Sequence, residues 1–209
     1  LEKALELAPD HDYARSNLDY LGQFWRRGDV VQIDFPPHPR VRHGYGQPAH
    51  ARLAALLAEV DYRPAAQALA GLASDLALIS ASPDPVRPDQ PWWDSIWLPR
   101  LDAGMLCTML ARHRPARLLE IGSGMSTRFA RWAITRFATG THLHSIDPEP
   151  RVEIDGLCDQ ITRCGLEEAD IALFTSLKAG DILFFDGSHR SFQNSDVTVF
   201  FMEILPELA

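Results

Sequence analysis

The chain has 209 residues, 46% of them apolar and 23% charged, with a formal net charge of −8. That is the balance of an ordinary globular protein, long enough for one full α/β domain or for a small domain plus an incomplete one. The acidic total excludes a general binder of nucleic-acid backbones, which needs clustered Lys and Arg, and three cysteines without Cys-x-x-Cys spacing exclude a disulfide framework and fit a reducing compartment.

In residues 1–33, Leu1, Ala4, Leu5 and Ala8 fall at helical spacing before Pro9 and Asp10 break the pattern. A second helix is expected from about Asp12 to Trp25, with Ala14, Leu18, Leu21 and Trp25 on one face. This stretch, LEKALELAPDHDYARSNLDYL, resembles the end of one tetratricopeptide repeat running into the next helix, on Ala4, Leu5, Pro9, Ala14, Asn17 and Leu18. The resemblance implies a protein partner bound through repeat-like helices, and a chain that starts within a longer array. One repeat cannot bury its own face, and about three are normally needed. An ordinary helical hairpin is the other reading.

Residues 34–91 read as a proline-rich connector and a helical cap. The run DFPPHPRVRHGYGQP suits neither a regular helix nor a central strand. His38, His43 and His50 are irregularly spaced and lack cysteine partners, so they read as solvated loop histidines rather than metal ligands. Two helices are expected between Ala49 and about Ala81, broken at Tyr62-Arg63-Pro64. After a second proline-rich joint come Trp92, Trp93 and Trp97, which form either an aromatic wall at a ligand site or packing residues.

Residues 92–209 change pattern. A helix ending at Pro115 is followed by ARLLEIG as a strand and STRFARWAITRFA as a helix. THLHSID is a strand, EIDGLCDQITRCG reads as mostly helical, DILFFDG is a strand, and SDVTVFFMEILPEL is a helix. Strands alternating with helices at this spacing predict an α/β fold with a parallel sheet.

The stretch LLEIGSGMST holds the chemistry. A glycine turn between strand and helix lets backbone N–H groups approach a ligand at the helix N-terminus. Gly122 and Gly124 alone are weak evidence, and Thr127 stands where a dinucleotide fingerprint has its third glycine. Glu120 is more telling, because a carboxylate two residues before the turn repels a pyrophosphate and attracts a sulfonium or α-amino group. Asp147, about 20 residues further on, ends the next strand, where an acid accepts hydrogen bonds from both ribose hydroxyls. It is also placed to cap a helix before Pro148.

In FFDGSH, Asp186 ends a strand and His189 follows three residues later. A histidine titrating near neutrality can take a proton from an acceptor hydroxyl. Both residues can also cap the next helix, and Asp196 reads as solvated or capping.

Together LLEIGSGMST, SIDPEPR and GDILFFDGSH resemble the class I S-adenosylmethionine-dependent methyltransferases, nearest to the small-molecule and sugar O-methyltransferases with Asp-Gly-x-His after strand four. The resemblance implies a partial Rossmann-like methyltransferase sheet, strands one to four, behind a helical N-terminal region and cut at its C-terminal end. It implies S-adenosylmethionine held by Glu120, Gly122, Ser123 and Gly124, with Ser126 and Thr127 at the helix start and Asp147 on the ribose. Leu166 and Glu167 are candidates for the adenine edge, and Asp186 and His189 for catalysis. It further implies that Asp186 contacts the cofactor or instead holds a divalent metal such as Mg, with a small-molecule or glycan acceptor. The alternatives are an NAD-binding oxidoreductase, and a non-catalytic repeat-based interaction protein with a vestigial methyltransferase domain. No signal peptide and no apolar run near about 18 residues are present, so no membrane span, no nucleic acid and a cytoplasmic location are expected.

Overall fold

The computed structural model describes residues 40–44, 46–150 and 152–208. The repeat-like hairpin of residues 1–33 and His38 lie outside them. The chain divides into two units after Val60.

In the first unit, a tight turn closed by the Gly44–Gln47 bridge precedes helix α1, Ala51–Ala58. His43 and His50 meet edge to face at 4.9 Å.

The second unit opens with helices α2 (Arg63–Gly71) and α3 (Ala73–Leu76), the first carrying a proline at its start, where a missing N–H costs nothing. Helix α4, Arg100–His113, follows the tryptophan segment. Its buried Ala103, Leu106, Cys107 and Leu110 repeat at the spacing of one helix face. The helix stops on Arg114, left-handed at φ 46°, immediately before Pro115.

Four parallel strands follow: β1 (Arg117–Ile121), β2 (His142–Ile146), β3 (Gln160–Thr162) and β4 (Ile182–Phe185). Their order is β3-β2-β1-β4, so the chain winds outward one way from β1 and then crosses to its other side. Helix α5, Met125–Arg136, makes the first crossover. Alternate strand residues point to opposite faces. Leu118, Leu143, Ile182 and Phe184 join Leu106, Leu110, Phe129, Ala130 and Ala133 in the core beneath α4 and α5. Leu119, Ile121, Ile146 and Phe185 join Leu166, Phe174 and Ile204 on the opposite face. Helical segments therefore cover both faces, the arrangement a parallel sheet requires. Leu69, Leu72, Leu76 and Ile79 of the expected cap share the core with α4 and α5. Trp93 belongs there too, packed 5.1 Å from Phe129 with its Nε1–H donated to the Leu76 carbonyl.

Two expectations change. Residues 153–165 are not mostly helical: they hold a single 3₁₀ turn, Asp155–Leu157, and then β3. Their strand character comes from pairing with β2, His144 with Gln160 through Ile146 with Thr162, which no local periodicity announces. The last expected helix is helical but irregular, passing from α6 (Asp196–Val199) through π geometry at Phe200–Ile204 to a 3₁₀ turn at Leu205–Leu208. Among the described residues, no helix is long and apolar enough to cross a membrane.

Gly122 fixes how β1 and β4 meet. It has φ 78°, and a Cβ there would stand 2.0 Å from the Asp186 carbonyl oxygen. Gly122→Ala should therefore cost at least about 2 kcal/mol in urea denaturation, combining left-handed strain with a backbone clash. Gly71→Ala, where an added Cβ meets nothing within 4 Å, should be neutral or gain up to about 1 kcal/mol.

Candidate functional site

The strand order reverses between β1 and β4, which is where open α/β sheets bind ligands, beyond the C-terminal ends of their strands. A cavity of about 470 Å³ lies there, within the range of about 300–1,000 Å³ common for small-molecule sites. Gly122, Ser123, Gly124 and Ser126 line it from the first crossover, and Asp147 from the end of β2. Leu166 and Glu167 line it from a 3₁₀ turn after β3, rather than from the strand itself. Asp186 and His189 line it from the end of β4.

The turn has an open side and a closed one. At Gly122 the side-chain space is already filled by Asp186 backbone, whereas at Gly124 (φ 157°) the nearest atom to an added Cβ is 3.9 Å away. Close approach of a ligand to the backbone is thus available at Gly124, and Gly122 serves the β1–β4 junction.

Glu120 and Thr127 are not among the lining residues. Both are wholly buried under the turn. The Gly124 N–H donates to Thr127 Oγ1 over 2.9 Å, and that hydroxyl donates to Glu120 Oε2 over 2.6 Å. The carboxylate expected to face the ligand instead braces the turn from behind. Sequence period explains this: Glu120 shares a strand face with Leu118, the α5 side. Glu120 Oε1 has no protein partner, nor does Ser145 Oγ, its register neighbour on β2. Burial pushes the Glu120 carboxyl up to about 7; the Thr127 and Ser126 hydroxyls oppose that shift, and the Asp147 and Asp186 charges add to it.

Asp147 is already engaged. Its Oδ2 accepts from the Ser123 N–H at 2.6 Å and the Ser123 hydroxyl at 3.0 Å, while Oδ1 accepts from the Glu149 N–H at 2.8 Å. A carboxylate has about four acceptor sites, so one remains until the Ser123 hydroxyl rotates away.

Asp186 Oδ1 lies 3.1 Å from His189 Nε2. A neutral imidazole protonated at Nε2, the nitrogen near Asp186, would leave the free lone pair on Nδ1. The His189 side chain is 81% exposed, so that lone pair is accessible.

Residues not anticipated at the site are Glu149, Arg190, Phe192 and Asp196. Trp97 lines the cavity, so the three tryptophans divide: Trp92 and Trp93 pack against the core, Trp92 also lying under the Arg128 guanidinium at 5.2 Å, and Trp97 is at the site. Five carboxylates line the cavity against one arginine: Asp147, Glu149, Glu167, Asp186 and Asp196 against Arg190. Among the described residues no group of three or more His, Cys, Asp or Glu is arranged to hold a metal.

No protein-family model matches this chain, and neither does any curated protein or solved structure.

The buried carboxyl makes stability depend on pH. The folded state keeps a proton on Glu120 that the unfolded chain releases from about pH 4.5 upward, so the associated stability is complete below that pH and lost as pH rises through about 7. The loss amounts to about 3 kcal/mol. Thermal and urea unfolding between pH 4 and pH 8 should show this decline in the wild type and not in Glu120→Gln; parallel pH profiles would contradict it.

Proposed function

We propose that the chain binds S-adenosylmethionine and methylates a hydroxyl of a sugar or other small molecule. The observation that carries this reading is the charge of the cavity at the β1–β4 reversal, five carboxylates against one arginine. A cofactor with a sulfonium and an α-amino group is attracted there, whereas the pyrophosphate of NAD would face like charge with a single cation to offset it. The strand order also fits a Rossmann-like sheet, since 3-2-1-4 is the beginning of the order 3-2-1-4-5-6.

The residues fit the cofactor. Gly124 leaves room beside the turn, and Asp147 stands at the end of β2 where the ribose hydroxyls need an acceptor. When bound, S-adenosylmethionine supplies a methyl group on a cationic sulfur that leaves as a neutral thioether. His189 takes the proton of the attacking hydroxyl at Nδ1. The Asp186 carboxylate, 3.1 Å from the opposite nitrogen, stabilises the imidazolium as it forms. A magnesium ion takes about six oxygen ligands, and Asp186 would provide one. No wider set converges there among the described residues, so no step is assigned to a metal.

Calorimetry with S-adenosylhomocysteine tests the reading directly, and measurable binding with none for NAD is expected. Asp147→Ala should weaken that binding by about 1.5–3 kcal/mol, as expected for lost bonds to a charged acceptor. Ser123→Ala should tighten it by a few-fold, because it frees one acceptor site on Asp147 and keeps the backbone bond. Preferential binding of NAD would favour the oxidoreductase, and binding of neither would leave a non-catalytic module. With an acceptor that is turned over, His189→Ala should lower turnover by about 10²–10⁴ and leave cofactor affinity unchanged.

A further inference from the structure

His189 occupies a backbone conformation that needs support. It has φ 58°, and Asn194, at the other end of the same loop, has φ 59°. Left-handed geometry is disfavoured at a residue with a Cβ, and the loop is exposed from Ser188 to Asn194. Packing therefore does not hold His189 in place.

One carboxylate does. Asp196 Oδ2 accepts the Ser188 N–H over 2.6 Å, and Oδ1 accepts the Ser188 hydroxyl over 2.6 Å. That hydroxyl in turn accepts the Arg190 N–H at 3.2 Å. Ser188 is thus tied directly to Asp196, and Arg190 only through the Ser188 hydroxyl that Asp196 holds. Bonds to an ionised acceptor are roughly twice as strong as neutral ones. Gly187 makes room for the arrangement, because a Cβ there would fall 2.3 Å from Asp196 Oδ2.

A simple capping role does not account for these contacts. The helix is capped by Ser195, whose hydroxyl accepts the Thr198 N–H; Asp196 Oδ1 receives the adjacent Val197 N–H at 2.9 Å besides the Ser188 hydroxyl, and Oδ2 is spent wholly on Ser188. The far end of the loop has its own anchor, with the buried Ser195 hydroxyl accepting from Phe192 and Thr198 N–H groups at 3.3 Å.

We propose that Asp196 is a positioning residue for His189, holding the loop so that the imidazole meets Asp186 and leaves one defined nitrogen free at the cavity. The proposal rests on the reading of His189 as the base, and deepens it. It acts through the backbone of Ser188 and Arg190, without contact between Asp196 and the reacting atoms.

Imidazole ¹⁵N–¹H correlation spectra of the whole chain test it without any acceptor, with His189→Gln assigning the signal. In the wild type, His189 should show a single tautomer, protonated at Nε2. In Asp196→Ala that signature should be lost to a tautomer mixture, while S-adenosylhomocysteine affinity stays within about two-fold of the wild type. Gly187→Ala should reproduce the loss by displacing the carboxylate, and Asp196→Asn should restore part of the single-tautomer signal, since its carbonyl can still accept from Ser188. Should Asp196→Ala fail to fold, Ser188→Ala removes only one exposed hydroxyl and should give an intermediate loss. An unchanged His189 tautomer in Ser188→Ala and in whichever of Asp196→Ala and Gly187→Ala folds would overturn the proposal. Absence of S-adenosylhomocysteine binding in the wild type would instead overturn the methyltransferase reading, independently of the spectra.

Discussion

The close approach of β4 to the end of β1 is the constraint on which the site depends. Gly122 has no side chain, and the space one would fill is taken by the backbone of Asp186. Two segments 64 residues apart in sequence, the glycine turn and the Asp186–His189 loop, become adjoining walls of one cavity because of that contact. The Gly122 N–H donates to the Ile146 carbonyl, and the Asp186 N–H donates to the Ile121 carbonyl, so three strand ends are bonded together there. A left-handed residue without a Cβ satisfies both the turn and the packing at once.

Behind that junction, a polar chain replaces what would otherwise be apolar core. Gly124, Thr127 and Glu120 are linked in sequence by hydrogen bonds, and each is buried. Burial of a carboxyl is costly, and the neutral form relieves most of the cost. The turn is thereby held from inside the protein, leaving its outer side free for a ligand. The same location makes Glu120 sensitive to the charges of Asp147 and Asp186 at the cavity wall, so binding a cation at those acids would lower the Glu120 proton affinity.

The cavity has two ends with different support. Around the glycine turn the walls are strand ends and the start of α5, all carried by the sheet. Around His189 they are an exposed loop anchored at single points, Asp196 at one end and Ser195 at the other. Under the proposed reading, the sheet-borne end would take the cofactor and the loop-borne end the acceptor, so that one ligand stays the same and the other sets specificity.

The sequence by itself determined the elements whose signal is local. LLEI and ILFF are largely apolar runs and HLHSI carries Leu143 and Ile146, each next to turn residues, and α4 and α5 carry buried residues at helical spacing, so β1, β2, β4 and both helices were legible. The glycine turn, Asp147, Asp186 and His189 were legible as a set because each sits at a strand end. Tertiary structure alone decided the rest. The three residues of β3 have no apolar run and become a strand only by pairing with β2. Whether Glu120 faces ligand or helix depends on which side of the sheet α5 covers, and the split among Trp92, Trp93 and Trp97 depends on what α4 and α5 leave exposed. Asp196 lies ten residues past Asp186, and a spacing of that length has no periodic meaning. Only the fold-back of the loop brings its carboxylate to Ser188, because hydrogen bonds act across space and leave no pattern along the chain.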